Sequence, residues 1–252
     1  MKHKWLLGIC VLTKLLLMQA QAAENVDAID SAIAASERPA TDRAKDANRH
    51  PQEILHFFEV RPGQQILDLF SGGGYYTELL ARTVGPRGKV VAHNNQAYLP
   101  FAAEDLKRRS YSERLPNVES LIAEANDLNF ADASFDRIFF VLGFHDTYFH
   151  DDSWPAIDVD RLTALFYRAL KADGYVAIID HATVPGADVS SAEKLHRIDR
   201  SEVIRRMEQA GFKLLDSTAV LENPDDPLTL SVFDPSVRGK TSRFVLKFGR
   251  GH

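Results

Sequence analysis

Two predicted strand ends carry histidines beside carboxylates. His145-Asp146 follows one buried strand, and Asp180-His181 closes the next. A histidine that a carboxylate orients can remove a proton from an oxygen or nitrogen nucleophile near neutral pH. We predict that His145, Asp146, Asp180 and His181 form a catalytic group. The alternative is that each histidine is a structural residue that binds backbone carbonyls.

Imidazole and carboxylate groups in this part of the chain are also suitable metal ligands. The candidates are His145, Asp146, His150, Asp151, His181 and His196. No pair has a diagnostic helical spacing such as HExxH. We therefore predict no metal site, and a metal-assisted enzyme stays an alternative. Residues 193–200 are dense in charge, which indicates either a solvated connector or an anion-binding Arg197.

A glycine-rich turn, Ser71-Gly72-Gly73-Gly74, separates a predicted strand over 65–70 from a predicted helix over 74–83. Glycines let the backbone turn sharply with positive φ and leave room for a ligand against the main chain. The N-terminus of the following helix directs free N–H groups at that ligand. The order of strand, turn and helix predicts a small-ligand site.

Strands alternate with helices from residue 61 onward, which is typical of a parallel sheet covered on both faces. The last two predicted strands, over 212–221 and 243–248, have no helix between them and indicate an antiparallel edge. We predict an α/β fold with a mostly parallel seven-stranded sheet. Ligands of such sheets bind beyond the carboxyl ends of the strands, where both groups of candidate residues fall.

The first residues have the pattern of a secretory signal peptide. Residues 1–4 carry positive charge, residues 5–18 are mostly apolar, and Ala20-Gln21-Ala22 offers a cleavage site. Cleavage after Ala22 predicts a periplasmic protein without stable membrane insertion, because the apolar run is too short for a permanent anchor. An uncleaved anchor is the alternative.

We divide the chain into a signal peptide (1–22), an N-terminal helical cap (23–60) and an α/β domain (61–252) that forms one unit with the cap. Cys10 is the only cysteine. The mature protein would therefore have neither disulfides nor thiolate chemistry. The net charge of -5, with scattered basic residues, argues against a nucleic-acid partner and favours a small-molecule substrate.

The turn and its surroundings resemble the class I S-adenosylmethionine-dependent methyltransferases. Residues 61–69 (RPGQQILDL) and the glycines that follow resemble the family's first motif. Residues 124–130 (EANDLNF) and 134–136 (SFD) resemble its acidic adenine-side loop and the start of its fourth strand. The signal peptide, Arg49-His50-Pro51 and the segment 231–235 resemble a group of predicted secreted methyltransferases.

The resemblance implies a Rossmann-like methyltransferase fold and S-adenosyl-L-methionine as cofactor. It implies cofactor contacts from Asp68, Ser71, Gly72, Gly73, Gly74, Tyr76, Asn94, Glu124 and Ala125. Two positions depart from the pattern. Phe70 replaces the family's first glycine, and Asn94 replaces the acid that grips the ribose hydroxyls. Loss of that charge-assisted contact would cost about 1–2 kcal/mol, or roughly tenfold in affinity.

The predicted function is methyl transfer from S-adenosylmethionine to an oxygen or nitrogen atom of a small molecule or envelope component. One alternative is a non-catalytic protein that keeps an adenosyl or other small-ligand pocket. The other is a His/Asp enzyme, with or without a metal, on the same fold.

Overall fold

The computed structural model describes residues 28–251. The predicted signal peptide, residues 1–22, lies outside them. Seven strands form one sheet within the described range. They are β1 (Gln65–Leu69), β2 (Lys89–Asn94), β3 (Val118–Ile122), β4 (Phe135–Val141), β5 (Leu170–His181), β6 (Phe212–Thr218) and β7 (Arg243–Arg250).

Helices precede the sheet and connect most of its strands. They are α1 (28–34), α2 (Ala40–Arg43), α3 (Asp46–Arg49), α4 (Pro51–Phe57), α5 (Tyr75–Val84), α6 (Leu99–Arg109), α7 (Tyr111–Arg114), α8 (Val159–Ala169), α9 (Ser190–Leu195) and α10 (Arg200–Gln209). Short 3-10 turns follow β2, β3 and β4, at Gln96–Tyr98, Ala125–Asp127 and His145–Tyr148.

The strand order is β3-β2-β1-β4-β5-β7-β6. Strands β1 to β5 pair in parallel, and β7 runs antiparallel to both β5 and β6. The predicted seven-stranded, mostly parallel sheet with an antiparallel edge is confirmed. The edge is antiparallel because β6 returns to β7 through a loop, whereas parallel neighbours need a crossover.

Both faces of the sheet are buried, as a parallel sheet requires. Ile138 and Phe140 of β4 belong to one apolar cluster, which includes Phe166 of α8. Phe139 belongs to the other, which includes Leu79 of α5. This alternation follows from the two-residue period of a strand. Helices therefore pack on both sides and leave the carboxyl ends of the strands for the loops that carry the candidate residues.

A buried arginine joins the N-terminal helices to the glycine turn. Arg109, at the end of α6, is 1% exposed and donates to Asp42 of α2, Glu78 of α5 and the carbonyl of Gly73. Two carboxylates and a carbonyl accept hydrogen bonds from the guanidinium, and these contacts offset the free-energy cost of removing its charge from water. The turn is thereby fixed to the helices that cover it.

A second buried arginine holds the loop between β6 and β7. Arg197 is fully buried and makes two 2.9 Å bonds to Asp226. It also donates to the carbonyls of Leu230 and Ala182. Because these partners engage the guanidinium, Arg197 anchors the loop over the end of β5, and the alternative of an anion-binding Arg197 finds no support.

None of the helices within residues 28–251 combines the length and apolar character needed to span a bilayer.

Replacement of Arg197 by Gln should lower the free energy of unfolding by about 3–5 kcal/mol, because it leaves Asp226 buried without its partner. Urea unfolding measures the change. Arg205→Gln is the matched control, since Arg205 is an exposed arginine paired with Glu202, and its loss should leave the free energy of unfolding nearly unchanged. Equal losses in the two variants would show that the Arg197 pair does not anchor the loop.

Candidate active site

The glycine turn is held by one backbone hydrogen bond to the neighbouring strand β2 and by one within the turn. The backbone N–H of Ser71 donates to the carbonyl of His93 at 2.8 Å, and that of Gly74 donates to the carbonyl of Ser71. Gly72 and Gly74 have φ values of 54° and 79°, which glycine adopts without strain. A side chain at Gly74 would collide with Arg109 and Tyr111, so this position requires glycine for space as well.

Phe70 occupies the position of the family's first glycine and has φ of 49°. A left-handed backbone costs a residue with a side chain about 1–2 kcal/mol. Burial offsets this cost, because the Phe70 ring is 3% exposed and packs against Tyr98, Phe140 and Trp154.

Asn94 lies at the end of β2 and is 2% exposed. Its Oδ1 accepts from the N–H of Gly72 at 2.8 Å, and its Nδ2 donates to Gly72 O at 3.1 Å and Ser71 Oγ at 3.2 Å. The amide therefore holds the glycine turn. A ribose could use it only in exchange for these bonds.

A cavity of about 250 Å³ opens at the glycine turn. This volume is just below the roughly 300–1,000 Å³ of small-molecule pockets. Three cations and three carboxylates share its lining, namely Lys45, Arg49, Arg109, Asp42, Asp68 and Asp105. A cavity with both signs of charge suits a zwitterionic group.

Asp68, at the end of β1, is a buried carboxylate with few hydrogen-bond donors and, within residues 28–251, no ion-pair partner to compensate its charge. It is 2% exposed, accepts from the hydroxyl of Thr77 at 2.6 Å and takes part in no ion pair among the described residues. Burial raises the pKa of Asp68 to about 7, although the Thr77 hydroxyl and the charge of Arg109 oppose the shift. A buried carboxylate in a cavity with so little compensation suits a cationic ligand.

A larger cavity, of about 840 Å³, lies at the other end of the sheet and is lined by Gly85, Gly88 and Asn117. It adjoins the amino ends of β2 and β3. Ligands of open α/β sheets bind at the carboxyl ends, so we place the site at the glycine turn.

The remaining predicted cofactor residues surround the turn at different depths. Tyr76 is 5% exposed and lines the cavity from the first turn of α5. Glu124 follows β3, and its Oε1 accepts from the N–H of Gln96 at 3.3 Å. Ala125 is buried in the apolar core. Glu124 and Ala125 do not line the cavity that Tyr76 and the turn share.

The structure brings the predicted catalytic residues together. Asp180 is fully buried and accepts from both the N–H of His145, at 2.9 Å, and its ring Nδ1, at 2.7 Å. The Nε2 of His145 lies 3.2 Å from Oδ1 of Asp146. The ring of His181 lies 5.8 Å from that of His145, and its Nδ1 contacts the hydroxyl of Thr241 at 2.7 Å.

The two histidines differ in charge. Burial alone would lower the pKa of His145, but Asp180 and Asp146 raise it to about 10. Burial and the neighbouring His145 cation hold the pKa of His181 well below its ordinary value. His145 is therefore an imidazolium at neutral pH and a poor base, whereas His181 is neutral.

Tyr98 separates the glycine-turn cavity from the His/Asp cluster. Its ring lines the cavity, and its hydroxyl donates to Oδ2 of Asp146 at 2.6 Å. Sequence reasoning did not find Tyr98, nor Arg49 and Lys45 on the cavity wall. Tyr98 ends a 3-10 turn, Arg49 ends α3 and Lys45 lies in the turn before α3. Their approach to the cavity depends on tertiary packing, which no sequence pattern indicates.

Comparison with known proteins agrees with this geometry. The model of the ubiE/COQ5 methyltransferase family matches residues 48–196, which is more than half of the chain. The ubiquinone/menaquinone biosynthesis C-methyltransferase UbiE of Escherichia coli O1:K1 / APEC is 34% identical over 122 residues. That match covers 48% of this chain and 44% of the relative, so the chain spans less than half the length of this curated relative.

Solved structures share the fold at low identity. A SAM-dependent methyltransferase from Aquifex aeolicus is 22% identical with a TM-score of 0.56, over 82% of this chain and 94% of that one. The [4+2]-cyclase SpnF is 17% identical with a TM-score of 0.52, over 86% and 85%. These likenesses confirm the Rossmann-like methyltransferase fold. The match over residues 48–196 shows that the chain belongs to the ubiE/COQ5 methyltransferase family.

Proposed function

We propose that the protein is an S-adenosylmethionine-dependent methyltransferase that acts on an oxygen or nitrogen atom of a small molecule or envelope component. Asp68 is the observation that carries this proposal. The carboxylate is buried in a cavity at the glycine turn, and among the described residues one hydroxyl donor and no ion pair support it.

The residues around Asp68 suit this cofactor. Its amino-acid end is a zwitterion, and its sulfonium sulfur is a cation. Asp68 and Asp105 offer carboxylates to the ammonium group, while Lys45 and Arg49 offer cations to the carboxylate. Arg49 stacks on the ring of Tyr75 at 4.3 Å, which directs it along the cavity wall. When bound, the cofactor supplies an electrophilic methyl group.

The His/Asp cluster beyond Tyr98 supplies the groups for the acceptor. Methyl transfer requires alignment of the acceptor and removal of its proton. We assign proton removal to His181, which is half-buried at the end of β5 and whose Nδ1 is held by Thr241. Asp180 and Asp146 fix His145 beside it. The UbiE relatives are named C-methyltransferases. Analysis of the methylated product distinguishes transfer to carbon from transfer to oxygen or nitrogen.

A second candidate function is ligand binding without methyl transfer. The Asn94 amide is engaged by the turn, and the Phe70 ring lines a cavity of about 250 Å³. Both features oppose tight binding of a large cofactor. The [4+2]-cyclase among the structural neighbours shows that proteins of this fold differ in the reaction they catalyse.

We also propose that the protein acts in the periplasm, on the basis of residues 1–22 alone. Protein recovered from the periplasmic fraction of a Gram-negative host should begin at Ala23 in N-terminal sequencing. Recovery only from the cytoplasm, with residues 1–22 intact, would contradict export.

Calorimetry of the mature protein should detect both S-adenosylmethionine and S-adenosylhomocysteine. Asp68→Asn should weaken binding of both ligands by about 10- to 100-fold, because a charged hydrogen bond to the ammonium group contributes about 1.5–3 kcal/mol. Asp132→Asn changes an exposed carboxylate before β4 and should leave affinity unchanged. No heat with either ligand at millimolar concentration would overturn the proposal.

Stability measurements on the unliganded variant show whether Asp68→Asn acts through charge. The pKa of Asp68 is raised from 3.8 to about 7 in the folded protein. The protonated form therefore contributes stability below pH 3.8, and this contribution is lost as the pH rises through 7. The amide of the variant stays neutral at every pH, so the variant should gain about 2–3 kcal/mol relative to wild type between pH 5 and pH 8.

His181→Gln should lower turnover by about 10²- to 10⁴-fold through loss of the base, with cofactor affinity nearly unchanged. Isotope-labelled S-adenosylmethionine and a panel of phenols, amines and hydroxy acids give the rate, and mass spectrometry locates the methyl group. His150→Gln changes an exposed histidine and serves as the control. Loss of cofactor affinity together with turnover would make His181 a structural residue.

A further inference from the structure

Three potential metal ligands converge beyond the end of β4. They belong to His145, Asp146 and His196, each of which offers one ligand atom, and these atoms all lie within 4.8 Å of one another. Oδ1 of Asp146 lies 3.2 Å from Nε2 of His145 and 3.7 Å from Nδ1 of His196. Ligands bound at about 2.1 Å from one ion are separated by about 3.0–3.5 Å. The cluster thus approaches the geometry of a metal site without large movement.

The groups behind these ligands orient them. Nδ1 of His145 contacts Asp180 at 2.7 Å, which directs Nε2 toward Asp146. The hydroxyl of Tyr98 binds Oδ2 of Asp146 at 2.6 Å and leaves Oδ1 facing the two histidines. A carboxylate behind a ligating histidine and a donor on a ligating carboxylate are the usual outer partners of protein metal sites. The sequence alone placed His145 and Asp180 in catalysis and predicted no metal.

His196 reaches the cluster from a different part of the chain. It ends α9 with a left-handed backbone, φ 53°, and α9 packs on the 3-10 turn that carries His145 and Asp146. Its side chain is 26% exposed, whereas that of His145 is 5% exposed. The rings of Phe149 and Phe233 flank it at 5.9 and 4.8 Å. The cluster therefore has one face toward solvent and an apolar border.

The charge of the cluster also favours a cation. Asp146 and Asp180 are both buried, and His145 is the one side chain that contacts both of them among residues 28–251. A metal ion at Nε2 of His145 would displace the proton that this imidazolium carries, so the ion takes the place of the proton beside Asp146 and binding releases one proton. Two imidazoles and one carboxylate are the donor set of zinc sites that keep an open position.

We propose that His145, Asp146 and His196 bind one divalent first-row metal ion, with Zn²⁺ as the best-fitting ion. Three protein ligands leave at least one position for water or for an oxygen of a bound small molecule. The site stands on these three side chains and their neighbours, independently of methyl transfer.

Titration of chelator-treated, tag-free protein with Zn²⁺ tests the site in the absence of any cofactor. Calorimetry should give one Zn²⁺ per chain. His196→Ala should weaken Zn²⁺ binding by at least roughly 100-fold, since loss of an outer partner alone typically costs 10- to 100-fold. Because the His196 side chain is 26% exposed and lies at the end of a short helix, the variant should fold, and circular dichroism checks this. His150→Ala removes an exposed histidine five residues after His145 and should bind Zn²⁺ as wild type does.

The absorption spectrum of bound Co²⁺ reports directly on the metal ligands, so it would not change if His196 had only a structural role. Bound Co²⁺ should show visible absorption typical of nitrogen and oxygen ligands, which His196→Ala abolishes. Asp180→Asn should shift this absorption and weaken Zn²⁺ binding by about 10- to 100-fold. Binding of less than one Zn²⁺ per chain, or equal affinity of wild type and His196→Ala, would overturn the proposal. Neither result depends on whether the chain binds S-adenosylmethionine.

Discussion

The carboxylate of Asp180 connects two strand ends on which the site depends. It is fully buried at the end of β5 and accepts from the backbone and the ring of His145, which follows β4. A carboxylate buried this deeply needs such donors. Because Asp180 fixes His145, and His145 faces Asp146, the parallel pairing of β4 and β5 determines the geometry of the whole His/Asp cluster. The positions of His181 and Thr241 follow from the same strand end.

Buried arginines frame the site on both sides. Arg109 ties α2, α5 and the glycine turn together, and Arg197 ties the loop between β6 and β7 to the end of β5. Such pairs contribute little net stability compared with apolar packing, but removal of one partner is costly. They therefore fix the positions of two polar loops, whose carbonyl and carboxylate groups need hydrogen-bond donors that apolar side chains do not provide. Between them lie the cavity at Asp68 and the His/Asp cluster.

Local patterns predicted the sheet and the glycine turn, because strand, turn and helix in this order depend on neighbouring residues alone. They also placed His145 and His181 at adjacent strand ends. They did not predict that the Asn94 amide would bind the turn. This orientation depends on Gly72, which follows β1, whereas Asn94 ends the neighbouring strand β2. His196 lies 50 positions from Asp146, so no spacing rule joins them. Arg49 belongs to α3 and Lys45 to the turn before it, in a region predicted only as a cap, and their approach to the cavity depends on tertiary packing.

Tyr98 contacts both halves of the site, the cavity at the glycine turn and the His/Asp cluster. It lines the cavity, and its hydroxyl donates to Asp146. It also packs against Phe70 and Trp154. If a ligand in the cavity moved this ring, it would also change the hydrogen bond to Asp146. Thermodynamic linkage would then require a ligand at Asp146 to alter affinity in the cavity by the same factor. One tyrosine thus gives the two halves a shared contact through which heterotropic coupling would act.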